Sequence, residues 1–328
     1  MRVGVLGGGQ LGLMLSEAAA QLDIDIVLID PSTDLPRLAH GERVATAFDD
    51  PLAIDVLRRC DVVTVELESV PVEVLEKLQT TTKVAPPPRA VAVSQDRLLE
   101  KDQFTAIGIP TVPYVDIASA PAVADRDVIV KARRGGYDGR GQEVVHAGSR
   151  IAGIGAIVED RISFDRELSI VAARSWDGAV ACYPLVENLH SAGILRRTTV
   201  PAPATSPELQ AAAERYVTTL AESLDYVGVL ALELFQVGNE LLANEMAPRV
   251  HNTGHWTIEA AVTSQFSQHL LAITGERLGA TDALGSAVMT NLIGELPEPL
   301  PDGPGVFVHL YGKEPRPGRK LGHVTIVG

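Results

Sequence analysis

Lys131 opens a segment that ends at Gln142 and holds four glycines, a tyrosine, an aspartate and an arginine within the seven residues 135–141. Apolar runs flank it, Val128–Val130 before and Glu143–Val145 after. This pattern predicts a hairpin with a glycine tip, whose bare N–H groups can approach phosphate oxygens. Lys131, Arg133 and Arg134 would add positive charge. Asp138 is the odd member, since a phosphate cradle has no use for a carboxylate. It would orient Arg140 or touch a second substrate. The plainer alternative is a flexible surface hairpin.

Glu233 lies in an otherwise apolar run, Val227–Phe235, where an unpaired carboxylate would be costly. The next run, Leu241–Ala247, carries Asn244 and Glu245. A three-residue loop at 238–240 would place Glu233 opposite Glu245. A two-residue loop would place it opposite Asn244. Either way oxygen donors converge, and two carboxylates with an amide suit Mg²⁺ completed by water and substrate phosphates. Arg249 and His251 follow on one side of an extended strand and predict an anion site. His190 is compatible with a site or with plain packing. Lys313, Arg316, Arg319 and Lys320 put four of the 28 basic residues within eight positions. That clustering fits a substrate phosphate pocket better than a solvated turn.

Gly7, Gly9 and Gly12 match G-x-G-x-x-G after a strand, and Asp30 follows at the distance of a ribose-binding acid. The match points to a dinucleotide, or more broadly to a phosphate at a helix N-terminus.

The elements that must position these residues follow from periodicity. Strands at Val3–Leu6, Ile24–Ile29, Arg43–Phe48, Val62–Val65 and Lys83–Ala85 alternate with helices at Gln10–Leu22, Pro51–Arg58 and one beginning near Pro71. Asp50 and Ser69 are the expected caps. This is a doubly wound parallel sheet. The triple proline 86–88 marks a boundary. A helix over Ser94–Ile107 carries Arg97 and Lys101 one turn apart. Further strands are expected at Ala156–Glu159, Arg166–Ala173, Val180–Tyr183 and Ile194–Val200, with a short helix near Arg150–Gly155. Ser206 caps a helix with one apolar face. The tail ends in strands at Val306–Leu310 and Leu321–Val327.

The chain has 328 residues, enough for two or three domains. A net charge of −14 argues against nucleic acid or an anionic membrane as partner. Two cysteines without motif spacing indicate a reducing compartment. The apolar N-terminus reads as a folded strand and helix, not a signal peptide. No apolar run reaches membrane-span length.

The chain resembles the 5-(carboxyamino)imidazole ribonucleotide synthases, ATP-grasp ligases of purine biosynthesis, over nearly its full length. The resemblance rests on Gly7–Gly12, Thr64–Glu68, Asp96-Arg97, Lys131 with Gly135–Gln142, Tyr183–Leu185 with Asn188–His190, Asn244–Trp256 and Arg316–Lys320. It implies an ATP-grasp fold: an N-terminal α/β domain at 1–88, an ATP-grasp domain at 89–275 with a lid at about 110–163, and a small C-terminal domain at 276–328. Members of that family run some tens of residues past the position of His323, so a shortened C-terminal domain is expected.

The implied reaction is phosphorylation of bicarbonate by ATP to carboxyphosphate. The exocyclic amine of 5-aminoimidazole ribonucleotide then captures the carboxyl group. By the same resemblance Arg97, Lys131, Gly136, Tyr137, Asp138, Gly139, Arg140, Gly141, Gln142, His190, Asn244 and Glu245 hold ATP. Adenine sits on Glu159, Asp160, Arg161 and Ile162, and Glu167 binds the ribose. Glu233 and Glu245 hold Mg²⁺, with Mn²⁺ an acceptable substitute. The ribonucleotide lies among Gln10, Leu11, Glu68, Lys313, Arg319 and Lys320. Tyr137, Asp138, Arg140, Arg249 and His251 serve the chemistry. A cytoplasmic homodimer is implied.

A nicotinamide-dependent oxidoreductase is the competing reading, and it leaves the hairpin, the paired glutamates and the basic tail without a role. A non-catalytic nucleotide-binding regulator also competes, as does a sister ATP-grasp enzyme acting on formate or glycine.

Overall fold

The computed structural model describes residues 1–136, 141–153 and 155–328. The N-terminal unit comprises β1 (Arg2–Leu6), α1 (Gln10–Gln21), β2 (Asp25–Asp30), β3 (Glu42–Ala45), α2 (Pro51–Leu57), β4 (Val62–Val65), α3 (Val72–Gln79) and β5 (Lys83–Val84). Its parallel sheet has the order β3-β2-β1-β4-β5, as the alternation of apolar strands and helices predicts. Buried Val and Ile fill β1 and β2 because helices cover both faces. Asp50 caps α2 through the Leu52 N–H. Helix α3 starts at Val72, beside Pro71 as expected, but Ser69 does not cap it: Pro71 holds the N-cap position, with no side-chain cap.

The helix expected over 94–107 is α5 (Arg97–Ala106), and a separate helix that was not expected, α4 (Pro88–Ser94), precedes it. Asp96 breaks the run by accepting the Leu98 N–H as an N-cap. A four-stranded antiparallel sheet follows, in the order β6-β9-β7-β8, from β6 (Tyr114–Asp116), β7 (Val128–Ala132), β8 (Gln142–Val145) and β9 (Ala156–Asp160). The strands on either side of the glycine segment pair antiparallel, with Lys131 facing Gln142. The helix expected near Arg150–Gly155 is absent over 150–153, where Arg150 instead bridges Val123; Ile154 lies outside the described residues.

The largest sheet is antiparallel and holds nine strands among the described residues. They are β10 (Arg166–Arg174), β11 (Val180–Cys182), β12 (Val186–Ser191), β13 (Ile194–Val200), β14 (Gly228–Val237), β15 (Glu240–Ala247), β16 (Ala287–Ile293), β17 (Val306–Leu310) and β18 (Lys320–Val327). Their order is β15-β14-β10-β12-β13-β16-β18-β17, with β11 on β10. The C-terminal strands therefore extend the central sheet and bring Lys320 onto the same sheet as Glu233. Helix α6 (Pro207–Ser223), capped by Ser206, covers one face. The short α7 (Thr257–Ala260) and α8 (Gln265–Thr274) lie on the other.

Helix α8 joins the two large sheets. Phe266, Leu270 and Ile273 share one core with Leu11, Met14 and Leu15 of α1 and with Val229 of β14. His269 makes the polar link. Its Nδ1 accepts the Val229 N–H at 3.0 Å, so its Nε2–H donates to Thr64 Oγ1 at 2.8 Å. Burial pushes this imidazole down to about 4, against about 6.5 in an unfolded chain. Above about pH 6.5 the ring is neutral in both states. Below it, the unfolded chain takes up a proton that the folded ring refuses. The wild type should therefore lose stability relative to His269→Gln as pH falls from about 6.5 to about 4, by roughly 1.4 kcal/mol per unit. Urea unfolding at about pH 7.5 and about pH 5 should show the gap narrowing by ~2 kcal/mol. An unchanged gap would mean the ring is not held neutral.

Candidate active site

The β14–β15 hairpin resolves the register of the glutamates in a way neither loop length predicts alone. Val237 pairs with Glu240, so the loop has two residues. The ladder then runs Gln236–Leu241, Phe235–Leu242 and Leu234–Ala243 before shifting by one residue. Asn244 is the extra residue of this bulge, and beyond it Glu233 faces Glu245. The bulge places Asn244, Glu245 and Glu233 together at one point of the sheet.

These carboxylates differ in charge state. Burial and the neighbouring Glu245 charge push Glu233 up to about 7. Glu245 is held below the usual range despite burial, because Arg97 lies against it, its Nη1 2.8 Å from Oε2. Helix α5 grips the same bulge through Glu100, which accepts the Met246 N–H at 2.6 Å. Two carboxylates and an amide oxygen form an oxygen donor set that fits Mg²⁺ or Mn²⁺. Among the described residues no set of three or more His, Cys, Asp and Glu side chains could hold a metal. A cation here must complete its shell from water and substrate.

Lys131 stands at the end of β7, 2.6 Å from Glu159 Oε2 and 3.4 Å from Asn244 Oδ1. Lys101 reaches the other Glu159 oxygen at 3.4 Å. All three side chains are buried. The Glu159 carboxylate, in the stretch expected to meet adenine, is paired with two lysines, which leaves its backbone for the base. Asp160 and Arg161 are committed to surface pairs with Arg126 and Asp127. Ile162 is half-buried. Glu167 and His190, expected at ATP, pair with each other across β10 and β12. Burial works against the charge on His190, but this bond and the nearby Glu233 raise its pKa.

Arg97 also reaches toward Gly136 O, at 3.5 Å. Its neighbour Asp96 accepts a bidentate pair from Arg133 at 2.8 and 2.7 Å, fastening α5 to the base of the hairpin. Gly141 O accepts the Ala132 N–H at 2.7 Å. The expected site residues Tyr137, Asp138, Gly139 and Arg140 lie outside the described residues.

On the opposite flank Arg249 donates through Nε to Glu68. Burial opposes the Glu68 charge, yet Arg249 holds its pKa at about 2. His251 is pushed down to about 3 by burial and by Arg249 and Lys320. Its Nδ1 accepts the Thr253 N–H at 3.4 Å, and its Nε2 lies 3.4 Å from Glu233 Oε1. The charge of Lys320 acts on both Glu233 and His251. Lys313 donates to Gln10 at the start of α1. Arg319 and Arg316 both reach Asp34, at 3.3 and 3.4 Å. The basic tail is thus folded against the N-terminal unit.

Two expectations for that unit change. Leu11 points into the core, so only its backbone can face a ligand. The glycine loop does not present free N–H groups for a dinucleotide. Gly8 N–H donates to Asp30 at 2.8 Å and Gly9 N–H to Glu66 at 2.6 Å. A Cβ on Gly9 would sit 2.9 Å from Glu66 Oε1. Asp30 thus caps the loop from within and is no ribose ligand. Burial pushes Glu66 up to about 7. Sequence reasoning gave Glu66, Asp96 and Lys101 no role of their own. Glu66 carried the one available signal, a carboxylate in an apolar strand exit.

A groove of about 580 Å³ beside Lys83 and Trp176 contains none of these residues. The site is recognised by convergent charge, not by concavity.

Three family models match the chain: the ribonucleotide synthetase preATP-grasp domain over 1–95, the ATP-grasp domain over 102–266, and the phosphoribosylaminoimidazole carboxylase C-terminal domain over 287–328. The N5-carboxyaminoimidazole ribonucleotide synthase of Brucella melitensis is 44% identical, covering 98% of this chain and 95% of its own. The crystal structure of N5-carboxyaminoimidazole ribonucleotide synthetase from Thermus thermophilus is 43% identical, with TM-score 0.87, over 99% of this chain and 93% of that one. The Aspergillus clavatus N5-carboxyaminoimidazole synthase, in complex with ADP and 5-aminoimidazole ribonucleotide, is 27% identical with TM-score 0.86, over 100% and 93% of the two chains.

Proposed function

The chain belongs to the N5-carboxyaminoimidazole ribonucleotide synthases, and from that premise we propose how its residues divide the work. It is an ATP-grasp ligase that carboxylates 5-aminoimidazole ribonucleotide at the expense of ATP, in purine biosynthesis. Bicarbonate is the carboxyl source in this reading, activated as carboxyphosphate. The amine then displaces phosphate from that intermediate, yielding the carbamate.

Arg97, Lys131, Gly136, Gly141, Gln142 and the hairpin tip 137–140 hold the ATP phosphates. Glu159 pairs with Lys131 and aims it there, and Lys101 holds the other Glu159 oxygen. The backbone of 160–162 meets adenine, and Glu167 with His190 meets the ribose. Glu233, Glu245 and Asn244 would hold Mg²⁺ or Mn²⁺, which when bound neutralises phosphate charge. Gln10, the Leu11 backbone, Glu68, Lys313, Arg319 and Lys320 bind the ribonucleotide. Arg249, His251, Tyr137, Asp138 and Arg140 orient the carboxyl group. Neutral His251 can donate from Nε2 without repelling the cations beside it. Positioning and charge neutralisation supply most of the catalysis in phosphoryl transfer. The units at 1–88, 89–275 and 276–328 carry the ribonucleotide, ATP and tail contacts respectively. We also propose a cytoplasmic homodimer. Two free cysteines suit a reducing compartment, and no helix among the described residues is long and apolar enough to cross a membrane.

The single observation that carries this division is the meeting of Glu233 with Glu245 beside Lys131, with Arg249, His251 and Lys320 on the other flank. ADP release should be measured with bicarbonate, formate and glycine against several acceptor ribonucleotides. Turnover is expected only with bicarbonate and 5-aminoimidazole ribonucleotide. Equal turnover with formate would overturn the assignment of the carboxyl source.

A further inference from the structure

We propose that Gln265 is a positioning residue that sets His251 for the carboxylation step; this rests on the reading that His251 meets the reacting carboxyl group. His251 lies just past the end of β15, where the chain has left the ladder and its backbone groups have no strand partner. Buried backbone N–H and C=O groups need partners. Gln265, at the first position of α8 and with no exposed surface, supplies both. Its Oε1 accepts the His251 N–H at 2.9 Å, and its Nε2 donates to the His251 C=O at 2.7 Å. One side-chain amide thus stands in for a neighbouring strand. A glutamine is suited to this, since it carries one acceptor and two donor hydrogens on a single plane.

The second donor hydrogen faces His255 Nδ1 at 3.2 Å. A flipped amide would set donor against donor at the His251 N–H, so this arrangement fixes the amide. Gly254 allows the close approach: a Cβ there would lie 2.5 Å from Gln265 Oε1. The Gln265 N–H is itself held by Thr257 Oγ1 at 2.8 Å. Beyond His251, Asn252 and Asn291 exchange amide bonds at 3.0 and 2.7 Å, and Thr253 Oγ1 donates to Asn188 at 3.0 Å. The turn carrying His251 is therefore gripped on both sides, and its ring has one way to face: Nδ1 toward the Thr253 N–H and Nε2 toward Glu233. Of these groups only the His251 ring reaches a residue assigned to the metal, Glu233.

The test is Gln265→Met, which keeps length and removes both bonds. ADP release and carboxylated product are measured in one assay, with ADP affinity and the unfolding midpoint alongside. ADP affinity should stay within about twofold. The ratio of product to ADP should fall, and kcat/KM for the ribonucleotide should drop on the order of 100-fold, the scale of a misplaced reacting group. A purely structural role would lower both products together, in proportion to the folded fraction. An unchanged product-to-ADP ratio would overturn the proposal. Should Gln265→Met not fold, Gln265→Glu retains the shape and the acceptor for the His251 N–H and is judged on the same ratio. His251→Ala run in parallel separates the two ideas. If it turns over normally, the reading of His251 fails. If it is impaired while Gln265→Met keeps its ratio, only the positioning role fails.

Discussion

Glu245→Gln is expected to stop ATP turnover while leaving the fold intact. Glu245 is one of two carboxylates brought face to face by the bulge at Asn244. It is the one held ionised, by Arg97 at 2.8 Å. Glutamine preserves shape but removes the charge that would bind the cation. It also leaves Arg97 without its anion, so the guanidinium is free to swing from the phosphate side. Loss of a second-sphere partner typically costs 10- to 100-fold in metal affinity, and a direct ligand should cost more. We expect kcat to fall by at least about 100-fold, with the unfolding midpoint little changed. The assay is ADP release at saturating ATP over a wide Mg²⁺ range. Activity above about a tenth of wild type would remove Glu245 from the ligand set.

Lys320→Ala should separate the two substrates. Lys320 opens β18, and that strand reaches the site because it pairs with β16 in the same sheet as β14. Its charge acts on His251 and Glu233, whereas Lys131 pairs with Glu159 on the hairpin side. Losing a charge-assisted contact to the ribonucleotide or the carboxyl group costs roughly 1.5–3 kcal/mol, or about 10- to 150-fold. The apparent KM for 5-aminoimidazole ribonucleotide should rise by that factor and the KM for ATP should stay. The reverse pattern would move Lys320 to the nucleotide side. No change in either constant would return the tail to a solvated turn.

The chemistry of the site was legible in residue types and local spacing. A carboxylate inside an apolar run at Glu233, a glycine-rich segment after Lys131 and a basic tail are each unusual enough in residue type to point to a ligand. The parallel sheet of the first 88 residues was legible for the same reason: strands buried on both faces read as continuous Val and Ile. The polar strand β12 and the three-residue β6 were not, since a paired strand needs no apolar signature of its own. Tertiary structure alone decided which groups meet. The turn length left Glu233 opposite Asn244, and a one-residue bulge moved it to Glu245. Asp30 and Glu66 closed the glycine loop that a motif offered to a dinucleotide. Arg249 found Glu68 across 181 residues, and Lys313 found Gln10 across 303. Such pairings depend on sheet order and register, to which local periodicity is blind, and burial and the charged neighbours so assembled then pull each carboxylate and imidazole in opposite or concerted directions.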